Sequence, residues 1–190
     1  MRVDQLVLLA VGGSSDGVIA GRTRLQKVVY FLSEFRRISA GYAPSYYGAY
    51  SEEVARSVES LVARGLVNED VDLVPSAGPF EGRMYSYTLT DDGREILSVL
   101  ADEFPDEYKA LSGDLDKLLD GSPRTATLAV ASKLHTLVKR SSTPVRAEDL
   151  PRLATRFGWT ISADELRSGI EFLVKHGFVR KTRARSPAKQ

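Results

Sequence analysis

A mainly helical fold with small β-hairpins, of the α+β class, follows from three observations. Apolar residues recur at helical spacing over several segments of the 190-residue chain, and most of those segments carry capping signals. Residues 84–89, MYSYTL, alternate with a period of two instead, as a half-buried strand does. Turns built on Gly, Pro, Ser and Asp punctuate the chain between these segments.

The elements follow in order. Residues 3–11 read as a short apolar helix, closed by Gly12-Gly13 and the polar turn Ser14-Ser15-Asp16-Gly17. A second helix is predicted from Thr23. Its hydroxyl is placed to cap exposed amides while Gln26, three residues on, reaches back in a T-x-x-Q capping box. Leu25, Val28, Val29, Leu32 and Phe35 then form an apolar stripe about three turns long. The segment from Tyr42 to Tyr50 holds four tyrosines around Pro44 and Gly48. Ser51 is the predicted cap of a third helix, with Glu52 and Glu53 at its positive end. Val54, Val58, Leu61 and Val62 form its buried face, and Gly65 stops it. Leu66 and Val67 follow, then a polar, turn-rich interval through Gly78-Pro79, then the alternating strand. Thr90-Asp91-Asp92-Gly93 starts a further helix over 94–100. Three helices, a strand, a turn and a returning strand are the order of a winged helix-turn-helix.

The second half repeats part of this. Aligning residues 51–67 with 163–179 gives six identities, at Glu53/Glu165, Glu59/Glu171, Leu61/Leu173, Val62/Val174, Gly65/Gly177 and Val67/Val179. The shared unit is an amphipathic helix, a glycine stop and a short apolar strand. Residues 125–139 and 146–157 read as two more helices before it. The expected organisation is therefore two tandem modules: an N-terminal winged-helix module at 1–100 and a C-terminal helix-turn-helix or winged-helix-like module at 123–180. Between them, 101–122 form an acidic connecting helix and linker with Tyr108, Leu111, Leu115, Leu118 and Leu119 on its apolar side. Residues 181–190 lack acids and large apolar side chains and are predicted to be a mobile basic tail.

Net charge is +1, but its distribution is uneven. Residues 1–90 carry 9 Lys and Arg against 10 Asp and Glu, residues 91–120 carry 3 against 10, and residues 121–190 carry 14 against 5. The basic last third is suited to an acidic partner or to the acidic stretch of the same chain. The absence of Cys excludes disulfides, thiolate metal sites and cysteine nucleophiles. No apolar run approaches the ~18 residues of a membrane span, and a cytoplasmic protein without membrane contact is expected. No phosphate-binding glycine loop, dinucleotide fingerprint or nucleophile elbow occurs. His135 and His176 are isolated from other ligand-type residues. The sequence therefore points away from an enzyme and calls for no metal and no cofactor.

Three stretches carry a family resemblance: Gly21-Arg-Thr-Arg-Leu-Gln-Lys-Val-Val-Tyr-Phe-Leu32, Tyr46-Tyr-Gly-Ala-Tyr-Ser-Glu-Glu-Val54 and Leu61-Val-Ala-Arg-Gly-Leu-Val67. Over residues 1–100 the chain resembles the YwgA-like family of prokaryotic winged-helix proteins. It is more distantly similar to Panacea (SocA-like) antitoxin domains, which share an LQKLLYF helix. Residues 85–94 are similar to the wing-to-helix junction of many winged-helix regulators. Ala49 departs from the pattern, standing where a YGPYS turn has Pro. The resemblance implies either DNA-binding regulators or protein-binding components of antiviral defence and toxin systems.

Two functions follow as expectations. As a transcriptional regulator binding double-stranded DNA, the chain would lay its third helix in the major groove with its wing on the backbone. Arg22, Arg24, Lys27, Arg56, Arg64 and Arg83 are the candidate contacts of the first module, although Glu52, Glu53 and Glu59 share that helix's outer surface. Arg167, Lys175, Arg180, Lys181, Arg183 and Arg185 are those of the second. A homodimer is expected of a regulator that reads paired half-sites, and the leucines of the acidic helix either supply its interface or pack within the chain. As a protein-interaction adaptor or antitoxin-like subunit, the chain would bind a larger effector or toxin, with Tyr47 and Tyr50 as interface candidates. A continuous positive surface stripe distinguishes the first reading, and an exposed tyrosine patch of mixed charge the second.

Overall fold

A computed structural model describes residues 1–14, 16–74 and 82–180. The first helix, α1 (Val3–Gly12), buries Leu6, Val7, Leu8, Leu9, Ala10 and Val11. Apolar side chains all round its axis make it a central helix rather than a surface one, and α2, α3 and α4 pack against it. A short strand, β1 (Val18–Ala20), leads into α2 (Arg22–Arg36). This helix buries every residue from Leu25 to Ser33, polar ones included, because other elements enclose it on several sides.

The start of α2 differs from expectation. Its cap is Gly21, whose amide donates to Tyr85 O, and no side chain caps the helix. Thr23 already lies within the first turn. Gln26 turns away to a tertiary partner, donating from Nε2 to Ser51 O at 2.9 Å and accepting from Ser51 N at 3.1 Å. A buried amide with both halves satisfied by one backbone unit takes the place of the capping box.

The tyrosine segment forms a hairpin, β2 (Ala43–Ser45) and β3 (Gly48–Tyr50), with Tyr46 and Tyr47 at its turn. Ser51 caps α3 (Glu52–Ala63) as predicted, accepting from Val54 N at 3.1 Å. The turn-rich interval after Val67 begins later than expected. β4 (Val67–Val74) runs eight residues and pairs antiparallel with β5 (Gly82–Leu89), from Val67 opposite Leu89 to Val74 opposite Gly82. β1 pairs with the other edge of β5, so the sheet order is β1-β5-β4.

Two further helices follow, α4 (Asp91–Glu103), capped by Thr90, and α5 (Pro105–Leu119). Leu111, Leu115 and Leu118 of α5 are buried, and the helix lies against α2. Arg36 of α2 pairs with Asp114. Each buried leucine contributes roughly 1.5–3 kcal/mol to the fold, so the choice left open for these leucines falls on packing within the chain.

The second half comprises α6 (Thr125–Arg140), α7 (Leu150–Ala154) and α8 (Ala163–Lys175). The single helix expected at 146–157 is instead α7 flanked by two 3-10 turns, Ala147–Asp149 and Thr155–Phe157. Ser162 caps α8 with Glu165 in a reciprocal capping box. Its approach to α6 is close: a Cβ on Gly169 would stand 2.7 Å from Leu134 Cδ1. The strand anticipated after Gly177 is absent among the described residues. Phe178 turns inward onto Phe31 and Phe35, with ring centroids 4.8 and 4.5 Å away. Phe31 and Phe172 also meet at 5.1 Å. One apolar cluster thus runs from α1 through α2 to α6 and α8.

Among the described residues no helix is long and apolar enough to cross a membrane. The described residues are mainly helical with two small antiparallel sheets.

Candidate functional site: a tyrosine-walled cleft

The β2–β3 hairpin belongs to the first half of the chain but is fastened to the second. Trp159 donates from Nε1 to Ser45 O at 2.9 Å, and Ala49 N donates to Ser132 Oγ at 3.3 Å. From beneath, Lys27 Nζ donates to Ala49 O at 2.6 Å. Gly48 is required at this seam: its φ is +95°, and a Cβ there would lie 2.3 Å from Ser132 Oγ. These restraints leave Tyr46 and Tyr47 at the tip, 73% and 59% exposed, their rings edge to face with centroids 4.8 Å apart.

The hairpin forms one wall of a cleft of about 500 Å3. Ala126, Ala129 and Val130 line it from one face of α6, Trp159 contributes a further wall, and Thr23, Thr125 and Thr160 supply hydroxyls. Trp159 is 2% exposed and stacks on Phe157 at 5.0 Å, so it is a rigid boundary. The cleft's charged groups are Lys133 and Glu165. Desolvation lowers the Lys133 pKa, which Glu165 partly offsets. Glu165 is itself held below the usual carboxylate range by hydrogen bonds from the Ser162 amide and hydroxyl.

The residues expected to contact nucleic acid are dispersed over the molecule. Lys27, predicted at the surface, is 2% exposed, and burial brings its pKa down to about 8. Its position on the enclosed face of α2 removes it from any phosphate-contacting surface. Arg22 lies 3.6 Å above the Tyr85 ring and pairs with Glu69 at 3.3 Å, while its Nε donates to the Tyr87 hydroxyl. Arg24 donates to Pro123 O at 2.6 Å. Arg56 is exposed on α3, among Glu52, Glu53 and Glu59, Arg64 is exposed at its C-terminal cap, and Arg83 is exposed on β5. Arg167 pairs with Asp164 at 3.2 Å and Lys175 with Asp120 at 2.8 Å. Arg180 is exposed. Lys181, Arg183 and Arg185, with the whole expected tail, lie outside the described residues.

Of the two interface tyrosines, Tyr47 is at the hairpin tip. Tyr50 is half-buried, on a recess of about 120 Å3 between α2 and α3 that Arg22, Glu69 and Tyr87 also line. Tyr46 takes the exposed position expected of Tyr50. Tyr42 is tucked against Tyr30, with centroids 4.9 Å apart, and burial pushes its pKa well up.

Sequence reasoning missed Tyr46, Lys133, Trp159 and Glu165 as parts of one site. The one available signal was the chain's single tryptophan beside Gly158, since the hairpin that brings these residues together is too short to show alternation. Among the described residues no His, Asp and Glu side chains are grouped to hold a metal ion.

Fold and site together define a mainly helical α+β protein with an aromatic-walled cleft at the seam of its two halves. No protein-family model matches the chain. It is similar to the uncharacterized protein YwgA of Bacillus subtilis (strain 168), with 30% identity over 112 residues. The match covers 58% of this chain and 62% of that relative, less than two thirds of the relative's length.

Proposed function

We propose that the chain is a protein-interaction adaptor, antitoxin-like in character, built on a winged-helix first half. The observation that carries this reading is the exposed Tyr46–Tyr47 pair, fixed at the mouth of a cleft of mixed charge. Tyrosines supply large contact area at small entropic cost, and such residues dominate binding energy at protein interfaces. The winged-helix reading is supported by the element order α1-β1-α2-β2-β3-α3-β4-β5, three helices followed by a returning hairpin, and by the sheet order β1-β5-β4.

The acidic outer surface of α3 and β4, with Glu52, Glu53, Glu59, Asp70 and Asp72 exposed, disfavours a phosphate backbone there. Arg22, Arg24, Arg167 and Lys175 already have protein partners. A second reading, a DNA-binding regulator, draws on the excess of 14 Lys and Arg over 5 Asp and Glu in residues 121–190.

One experiment separates the two. The wild-type chain and the Tyr46→Ala/Tyr47→Ala variant are used to capture proteins from a lysate of the source organism, and both are titrated with random-sequence duplex DNA at several salt concentrations. Specific capture that the double variant weakens by about 2 kcal/mol, roughly 30-fold, supports the adaptor. Capture indifferent to the tyrosines, with duplex binding that falls steeply with salt, transfers the function to DNA.

A further inference from the structure

We propose that the tyrosine-walled cleft receives an acidic peptide segment of the partner, seating an apolar side chain on Ala126, Ala129 and Val130 and an adjacent carboxylate on Lys133. This rests on the adaptor reading and specifies what the partner must present.

The shape comes from α6. Ala126, Ala129 and Val130 share one helix face at spacings of three and four residues, and their small side chains give the cleft its depth between Tyr46, Tyr47 and Trp159. Lys133 follows on the same face, three residues past Val130, with Nζ 5.7 Å from the centroid of the Trp159 ring. An apolar side chain on that floor therefore has a cation next to it.

Lys133 and Glu165 give the cleft one charge of each sign, but they differ in how far each is already engaged. Among the described residues Lys133 has no ion pair. Glu165, the carboxylate that shares the lining, is engaged by Ser162 through N at 2.8 Å and Oγ at 2.9 Å. The start of α6 adds to the positive potential, because Thr125 and Ala126 line the cleft and no side chain caps that end. Arg124, next to lining residue Thr125, and Arg156, two positions before lining residue Gly158, are both exposed. A partly desolvated ammonium among such neighbours attracts a carboxylate and steers an acidic segment toward the site. A single-stranded nucleic acid fits less well. Successive bases stack on a series of open ring faces, whereas Trp159 is almost fully covered and the exposed Tyr46 and Tyr47 rings stand at 87° to one another, offering no parallel pair.

Trp159 is the only tryptophan of the chain, so its fluorescence reports on the cleft directly. The full chain is titrated with the peptide acetyl-Glu-Asp-Leu-Phe-Asp-Glu-amide. The expected result is a saturable change in Trp159 emission that weakens with salt. Lys133→Ala and Tyr46→Ala/Tyr47→Ala each reduce affinity at least tenfold, and Lys133→Arg retains it. The uncharged peptide acetyl-Gln-Asn-Leu-Phe-Asn-Gln-amide does not saturate over the same range. Circular dichroism melts verify that every variant folds. The proposal is overturned by a flat titration up to millimolar peptide, by equal binding of the two peptides, or by binding indifferent to Lys133→Ala. It is overturned equally if oligo-dT binds more tightly than the acidic peptide with the same dependence on Lys133. Partner capture that needs Tyr46 and Tyr47 but not Lys133 discards the acidic segment and keeps the adaptor. Capture that needs neither discards the adaptor reading itself.

Discussion

At the scale of single residues, Lys27 is the most instructive. Its neighbours Arg22 and Arg24 made it look like part of a surface cluster, yet it lies under the β2–β3 hairpin with Ala49 O as its acceptor. Periodicity alone could not reveal this, because α2 is enclosed on several sides and an amphipathic stripe no longer separates inside from outside. The ammonium loses its proton near pH 8 in the fold and near its ordinary 10.5 in the unfolded chain, with burial the main cause and Lys133 the secondary one. Between those values the unfolded chain binds more protons, so this group makes stability rise with pH across that window. The variant Lys27→Met is expected to flatten the rise. Urea unfolding of both proteins at about pH 7.5 and about pH 9.5 measures it, and equal slopes for the two would refute the assignment. Ser51, by contrast, was fully legible: a serine before two glutamates and an apolar stripe is a cap on local grounds, and it accepts the Val54 amide.

At the scale of elements, the long pieces were legible and the short ones were not. α1 is a nearly continuous apolar run, α3, α6 and α8 each span enough turns for their apolar faces to repeat, and β5 is long enough to alternate. β1, β2 and β3 have three residues each, which is too few for any period to register. β2 and β3 are defined by what holds them, namely Trp159, Ser132 and Lys27, all distant in sequence from at least one strand. Gly48 is where this dependence is tightest. Gly48→Ala introduces both a strained positive φ and a contact with Ser132 Oγ, and is expected to cost about 2 kcal/mol or more. Denaturant unfolding gives the cost, and faster hydrogen exchange at Ala49 and Tyr50 localises it to the hairpin. An unchanged midpoint would show that the seam tolerates a Cβ.

At the scale of the whole molecule, the sequence suggests two modules, and its charge distribution and internal repeat both encourage that division. The repeat is real at the level of a capped helix ending in Gly65 or Gly177, but the chain diverges afterwards. After the first it enters β4; after the second, Phe178 folds back among Phe31, Phe35 and His135. A core shared in this way predicts one cooperative transition. Unfolding followed by far-ultraviolet circular dichroism, which averages all helices, should coincide with unfolding followed by Trp159 fluorescence. Two separated transitions would instead establish independent modules. The bond from Trp159 to Ser45 carries a further consequence, in time. Its two residues are separated by 114 positions, so at a synthesis rate of ~5–20 residues per second the hairpin is made roughly 6–23 s before its clasp exists. Throughout that interval the nascent chain carries Tyr46 and Tyr47 without the bond that fastens their hairpin. On the adaptor reading proposed above, binding competence would arrive only once Trp159 has been made, a delay that would keep unfinished copies from engaging a partner.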